Sequence, residues 1–360
     1  MSKNTPIAEQ RLVNQRFYSQ AFRRPGEVVA WLGAIQGQDY GGAKWSIGLR
    51  LPGSSDRTVE QAIGGGRLLR IWAMRGTLHF VAAEDVHWLL RLLAPRVINR
   101  NTRRYRQLEL DEATLIRSSE LLAAALENGE RLNRDALREI LENAGISTKG
   151  QRLVYMLQRA VLERLICQGT APKNKPLFRK LPPADEPDRL TGRDEALAEL
   201  ATRYFTSRGP AMLEDFIWWS GLTAGDARTA IEAAGAALSE TMIDGRTYWQ
   251  GDSPAQTRVP APEVMLLPGF DEFLVAYRDR SASIRPEHHD AWSRTNAMFS
   301  PTLVRRGRVI GLWKRTFKKD IVKIEIEPFI DLTAKDRAGL EEAAADYGRF
   351  QEKTPELSVP

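Results

Sequence analysis

The sequence predicts an α+β protein: three helical units, each ending in a short β-hairpin, followed by a β-rich C-terminal domain. Three observations predict it. Apolar residues recur at helical spacing in successive stretches, as Val28, Val29, Leu32 and Ile35 do in the first. Short strand-like runs follow each stretch around turn residues such as Met74-Arg75-Gly76. From Val264 onward the chain changes to short apolar runs typical of strands. Helices feeding a small hairpin are the pattern of a winged helix, so tandem winged-helix (helix-turn-helix) units are expected at 1–108, 109–183 and 184–258, with the β-rich domain at 259–360.

In chain order, helices are expected at Thr5 to Phe22 and Pro25 to Ile35, then a segment Ala43 to Leu49 and a helix Thr58 to Ile63 closed by Gly64-Gly65-Gly66. Strands Leu68 to Ile71 and Thr77 to Val81 flank the Met74-Arg75-Gly76 turn, and Glu84 to Leu93 restores helix. After a basic joint come helices Ala113 to Leu126, Arg134 to Asn143 and Gly150 to Arg164, with wing strands Leu165 to Cys167 and Leu177 to Arg179. Pro182 to Pro187 reads as a linker. Helices Arg193 to Ser207, Met212 to Trp218 and Thr223 to Ala236 form the third unit, with Tyr248 and Trp249 on its wing. Strands follow at Val264 to Leu267, Phe273 to Tyr277, Leu303 to Arg305, Val309 to Trp313 and Ile321 to Ile326; a helix Ala334 to Phe350 closes the domain and the tail Thr354 to Pro360 is expected to fray.

Composition narrows the function. At 360 residues and 42% hydrophobic, the chain can fill a core in each unit. Its 52 Lys and Arg against 46 Asp and Glu favour a polyanionic partner. Cys167 stands alone, which excludes an intrachain disulfide and a four-cysteine metal cluster; no metal or other cofactor is expected. The N-terminal MSKNTPIAEQRLVNQRF lacks the apolar core of a signal peptide, and no run of eighteen apolar residues occurs. A cytoplasmic, nucleoid-associated monomer is the expectation.

The sharpest local feature is Leu32-Gly33-Ala34-Ile35-Gln36-Gly37-Gln38-Asp39. On a continuing helix the side chains of Gln36 and Gln38 diverge by about 200°, so they serve one pocket only if the helix ends near Gly37 or the chain turns extended. Two acid-free basic clusters suit phosphate contact. Arg91, Arg96, Arg100, Arg103, Arg104 and Arg106 form one, with 96, 100, 103 and 104 on one face if the helix persists. Arg305, Arg306, Arg308, Lys314, Arg315, Lys318 and Lys319 form the other, across a hairpin turning at Arg306-Gly307 whose Trp313 could press on a lesion. Arg75, always charged and beside a turn glycine, is a phosphate candidate; His79 is either a satisfied structural residue or a supporting or phosphate-binding contact. Glu287-His288-His289-Asp290 reads as a polar loop rather than a metal site, and Trp218-Trp219 as core packing. Gly64-Gly65-Gly66-Arg67 lacks the downstream residues of a phosphate loop.

On these residues the chain resembles the AlkZ and YcaQ type of winged-helix DNA glycosylases. The likeness rests on Gln36-Gly37-Gln38, similar to a Gln-x-Gln signature, on Ile71-Trp72-Ala73-Met74-Arg75-Gly76-Thr77-Leu78-His79-Phe80-Val81, on Leu266-Leu267-Pro268-Gly269-Phe270-Asp271, and on Gly311-Leu312-Trp313. Gly37 departs from the bulkier apolar residue usual in that family. The resemblance implies excision of alkylated purines from double-stranded DNA and unhooking of interstrand crosslinks, with Gln36 and Gln38 at the reaction centre. A cationic N7-alkylguanine or N3-alkyladenine leaves without strong acid assistance, so the enzyme's task is to aim a water and support positive charge. Neutral carboxamides suit that task by resemblance; chemistry alone favours Asp39 as the base. No lysine is placed as a Schiff-base nucleophile, so strand cleavage is not expected. An open cleft is expected, because a crosslinked adduct cannot enter a closed pocket. The competing reading is a non-catalytic winged-helix regulator or architectural protein; RNA binding has less support.

Overall fold

Caps and turns set most element boundaries in the computed structural model, which describes residues 7–17, 20–172, 175–184, 190, 192–252, 262–294 and 298–360. Helix α1 (Ile7–Asn14) is shorter than expected, because the chain turns left-handed at Arg16 (φ 67°); residues 5–6 and 18–19 of that expectation lie outside the described residues. Helix α2 (Pro25–Leu32) opens on a proline, whose missing N–H is harmless at a first turn, and stops at Gly33 (φ 70°). Strand β1 (Ile35–Gln36) follows, then α3 (Tyr40–Gly48) capped by Asp39 and α4 (Asp56–Gly64) capped by Ser55. The hairpin β2 (Leu68–Ala73) and β3 (Thr77–Ala82) leads into α5 (Val86–Gln107). That helix runs 22 residues through Pro95, so the expected basic joint is its second half.

Next come α6 (Glu112–Ala125), β4 (Leu132–Asn133), α7 (Arg134–Asn143), α8 (Arg152–Leu162), β5 (Ile166–Gln168) and β6 (Leu177–Lys180). Residues 185–187 of the expected linker lie outside the described residues. Helices α9 (Arg193–Arg208), α10 (Leu213–Ser220) and α11 (Ala224–Ala234) precede the hairpin β7 (Leu238–Ile243) and β8 (Arg246–Gly251), which carries Tyr248 and Trp249. The C-terminal region contains β9 (Met265–Leu267), α12 (Glu272–Val275), α13 (His289–Trp292), β10 (Ser293–Arg294), β11 (Met298–Phe299), β12 (Thr302–Arg305), β13 (Arg308–Phe317), β14 (Ile321–Pro328), α14 (Ala334–Gln351) and β15 (Thr354–Ser358).

Two expectations are corrected there. Phe273 to Tyr277 begins as helix α12, because the Asp271 carboxylate accepts the Phe273 N–H at 2.9 Å and starts a turn. The tail does not fray: Thr354–Ser358 pairs parallel with β14, burying one edge of the sheet.

The first two hairpins belong to one six-stranded sheet, ordered β1-β3-β2-β5-β6-β4, whose joint is the pairing of Arg70 with Gln168. The C-terminal sheet is ordered β15-β14-β13-β12-β9. Its apolar face does not close on itself. Val28, Leu32 and Trp45 from α2 and α3 share a core with Val322, Tyr347 and Phe350, while Leu69, Ile71 and Ala34 belong to the core of the three helical units. Residues 34–36 therefore lie at the seam between two cores, where Ala34 joins one and Ile35 the other.

Candidate active site

Gly33 ends α2 and frees the next residues to run extended. Ile35 then pairs with Phe80 and Gln36 with His79, and the Gly37 N–H donates to the Leu78 carbonyl at 2.7 Å. The chain has therefore left the helix before both amides, which removes the divergence that a continuing helix would impose on them; β1 ends at Gln36, and Gln38 lies in the bend that follows. Gln36 is 5% exposed, whereas Gln38 is exposed. The Gln36 carboxamide has no hydrogen-bond partner among the described residues, yet its polar atoms are not sealed from solvent. Gln38 Oε1 takes only a long 3.4 Å contact from the Leu78 N–H.

The backbone around these amides is fixed by buried charge. Glu272 accepts the Gln36 N–H at 2.9 Å through Oε1, and its Oε2 accepts from Arg208 Nη2 at 2.6 Å and Trp219 Nε1 at 3.0 Å. Arg208 also donates to the Leu32 and Ala34 carbonyls at 2.7 and 3.0 Å. Beside it, Asp271 holds Arg50 through two 2.9 Å bonds and accepts the Ser46 hydroxyl at 2.6 Å. Burial opposes the Asp271 charge, but Arg50, Ser46 and the Phe273 N–H outweigh it and hold the carboxyl below its usual range. Arg70 donates twice to the Gly37 carbonyl, at 3.0 and 2.7 Å, and once to Gln168 Oε1 at 2.8 Å; burial lowers its guanidinium to about 10. Glu272, Arg208 and Arg70 were not singled out from the sequence. The signal available was an acid pair, Asp271-Glu272, inside an otherwise apolar run from Phe270 to Tyr277.

Asp39 is engaged through both oxygens. Oδ1 accepts the Gly42 N–H at 2.9 Å as the cap of α3, and Oδ2 accepts Arg315 Nη2 at 2.7 Å. A Cβ at position 42 would collide with that carboxylate, so glycine is required. Arg315 thus ties β13 to the strand carrying the glutamines. The carboxylate that chemistry alone favours as a base is already neutralised and hydrogen-bonded.

The remaining predicted residues divide sharply. His79 is 1% exposed, and burial pushes its imidazole down to about 4; Nδ1 donates to the Thr77 carbonyl at 3.0 Å. A neutral, buried ring cannot contact phosphate, which corrects that reading. Trp313 is likewise corrected: it is 1% exposed, donates Nε1 to the Leu267 carbonyl and packs edge-on against Tyr347, so it cannot press on a base. Arg305 forms a two-bond pair with Asp336 at 2.8 and 3.0 Å, which removes it from free contact. Arg306 and Arg308 are exposed, with Arg306 in the turn as expected, and Lys314 lies 3.9 Å from Glu327.

On α5 the helix persists, so Arg96, Arg100, Arg103 and Arg104 span about 100° of arc. Arg96 donates to the Gly221 carbonyl and Arg104 to Gln151 Oε1 at 2.7 Å; Arg100 and Arg103 are exposed. Arg75 donates Nη1 to the Trp218 and Trp219 carbonyls and lies over the Trp218 ring. Trp219 is core, as the sequence suggested, whereas Trp218 is 39% exposed. A cleft of about 830 Å³ elsewhere, lined by Pro25, Gly65, Arg67, His87 and Pro182, touches neither glutamine.

Comparison with known proteins gives this geometry a context. The chain is 26% identical over 347 residues to an interstrand DNA cross-link repair glycosylase of Streptomyces sahachiroi, covering 90% of each chain. Its fold matches the solved structure of the Streptomyces sahachiroi DNA glycosylase AlkZ, with a TM-score of 0.76 and 23% identity over 98% of both chains. The model of the family described as DNA glycosylase AlkZ-like matches residues 29–350, a span that includes the glutamine strand, the Asp271-Glu272 pair and the C-terminal sheet. The chain belongs to the AlkZ-like DNA glycosylase family.

Proposed function

We propose that this protein is a monofunctional DNA glycosylase that hydrolyses the bond between deoxyribose and a cationic alkylated purine, of the N7-alkylguanine or N3-alkyladenine type, and unhooks interstrand crosslinks built on such adducts. One observation carries the reading: the Gln36 carboxamide, without a hydrogen-bond partner among the described residues and not sealed from solvent, sits two residues from the exposed Gln38 on a backbone fixed by Glu272 and Arg70. The crosslink repair named for the Streptomyces relative supports the substrate class.

In this reading the positively charged base departs as a neutral purine, leaving an oxocarbenium-like sugar. The amide oxygens of Gln36 and Gln38 accept hydrogen bonds from a water and aim its oxygen at the anomeric carbon. Water adds, its second proton passes to solvent, and a free hemiacetal remains. Neutral amides bring no positive charge to a cationic substrate, and their fixed dipoles favour the developing sugar charge. Asp39 serves as cap and Arg315 clasp. Arg75, Arg96, Arg100, Arg103 and Arg104 supply charge from the helical region, and Arg306, Arg308 and Lys314 supply it from the C-terminal sheet. The helical units 1–108, 109–183 and 184–258 act as winged helices on the duplex, the 259–360 domain completes the groove, and the protein works as a cytoplasmic monomer without cofactor.

The test uses a duplex with one N7-methylguanine. Wild-type protein should release the base and leave an abasic strand that breaks only under alkali, and Gln38→Ala should slow release by about 100-fold. No release by the wild type, or an unchanged rate in the variant, overturns the proposal.

A further inference from the structure

We infer that Arg75 and Arg280, held together over the Trp218 indole, form a phosphodiester-binding site that grips the DNA backbone beside the excision site. The inference deepens the glycosylase reading and rests on it for the identity of the DNA. Three separate elements build the cluster: the turn between β2 and β3, the C-terminal end of α10, and the segment after α12. The guanidinium carbons of Arg75 and Arg280 lie 5.0 and 5.4 Å from the Trp218 ring centre, and Trp218 is anchored by donating Nε1 to the Val275 carbonyl at 3.0 Å.

What sets this pair apart is that neither guanidinium is ion-paired among the described residues. Arg50, Arg203 and Arg208 each meet a carboxylate, and Arg70 has all three side-chain nitrogens bonded. Arg75 and Arg280 make no salt bridge among the described residues. Arg75 donates through Nη1 to backbone carbonyls, and Arg280 through Nε to Leu274 at 2.9 Å and Nη1 to Arg278 at 3.4 Å. Each keeps Nη2 without a hydrogen-bond partner among the described residues. Burial is the main cause that lowers both guanidiniums; Arg75 adds to the shift of Arg280 while Asp215 and Asp279 oppose it, and Glu272 opposes that of Arg75 while Arg100 adds to it. Two guanidiniums that share one indole, neither of them ion-paired and Arg280 also resting on the Trp292 ring at 5.1 Å, leave planar donors for an incoming anion.

Position identifies that anion. Arg75 lies three residues before Leu78, whose N–H contacts Gln38. Arg75 and Gly76 belong to the turn and β3 opens at Thr77, so at about 3.3 Å per residue the two backbone positions are at most about 10 Å apart, within about three steps along a DNA strand. A backbone phosphate flanking the target nucleotide reaches the cluster while the sugar lies at the glutamines.

The decisive experiment measures binding against salt on an undamaged duplex for wild type, Arg280→Ala and Arg280→Lys. Each phosphate contact contributes about 0.9 to the slope of log affinity on log salt. Arg280→Ala should reduce the slope by about 1 and weaken binding about 10-fold, and Arg280→Lys should keep the slope. A second arm replaces single phosphodiesters by neutral methylphosphonates along a strand carrying N7-methylguanine. Wild type should lose affinity at a position within about three nucleotides of the lesion, and Arg280→Ala should be indifferent there. An unchanged slope for Arg280→Ala overturns the site. If that variant misfolds, a wild-type scan with no sensitive position near the lesion overturns it equally. Trp218→Ala weakening binding while Arg280→Ala does not would make the indole a base-stacking platform and also overturn it. Base release, followed separately, reports on the excision reading: its absence with the slope change intact sinks excision and leaves the phosphate site standing.

Discussion

Arg208 and Arg280 both lie against α12, and they differ in what completes them. Arg208 is fully buried, meets Glu272 at 2.6 Å and donates further to the Leu32 and Ala34 carbonyls and the Ser207 hydroxyl. Arg280 sits on a half-exposed tryptophan with no carboxylate bridging it and an unclaimed nitrogen. The same contrast separates Glu272, bonded on both oxygens, from Gln36, whose amide is bonded to nothing among the described residues. Closed polar groups fix the backbone; in the proposed reading the open ones are left for DNA and water. Variants on the closed side should change stability, and variants on the open side should change chemistry or binding at constant stability.

The largest effect is expected on the closed side. Glu272→Ala strands Arg208, Trp219 and the Gln36 N–H in the interior, and thermal or denaturant unfolding should show a loss of about 3–5 kcal/mol. His79 tests the same side through pH. Its folded pKa of about 4 lies below its unfolded value of about 6.5, set mainly by burial, with Glu272, Arg75 and Arg208 as the charges that face it. The stability it contributes is therefore complete above pH 6.5 and declines as pH falls toward 4, by about 3 kcal/mol at about 1.4 kcal/mol per unit. Denaturant titrations across that window should show the slope in wild type and its flattening in His79→Gln.

Much of this division could not be read in the sequence. Helix α7 begins and ends where expected because Asn133 caps it and its apolar spacing is regular. Helix α12 was misread as a strand because Phe273, Leu274 and Val275 are all buried, so no periodicity distinguishes helix from strand. Gln36-Gly37-Gln38 stood out because two amides beside glycines are unusual locally. The residues that fix them did not, because Arg208 meets Glu272 across 64 positions and Arg70 meets Gln168 across 98. Trp313 looked like a wedge because it lies in a basic run, but alternation along β13 turns it inward while Lys314 faces solvent.

Smaller effects sharpen the contrast at its border. Asp39→Asn keeps a good helix cap but weakens the Arg315 clasp, so single-turnover release should fall by no more than about tenfold. A general base in that position would make the loss about 100-fold or more. Smallest of all, Arg103→Ala on the exposed face of α5 should leave the melting temperature unchanged and reduce the salt slope of DNA binding by about 1.

The central claim is tested most directly by measuring the single-turnover release of N7-methylguanine and the melting temperature on the same preparations of Gln36→Ala, Gln38→Ala and Glu272→Gln. The account predicts that both glutamine variants lose about 100-fold in rate with the melting temperature of the wild type, while Glu272→Gln melts earlier. Glutamine variants whose rate is preserved, or whose rate falls only in step with lost stability, would contradict it.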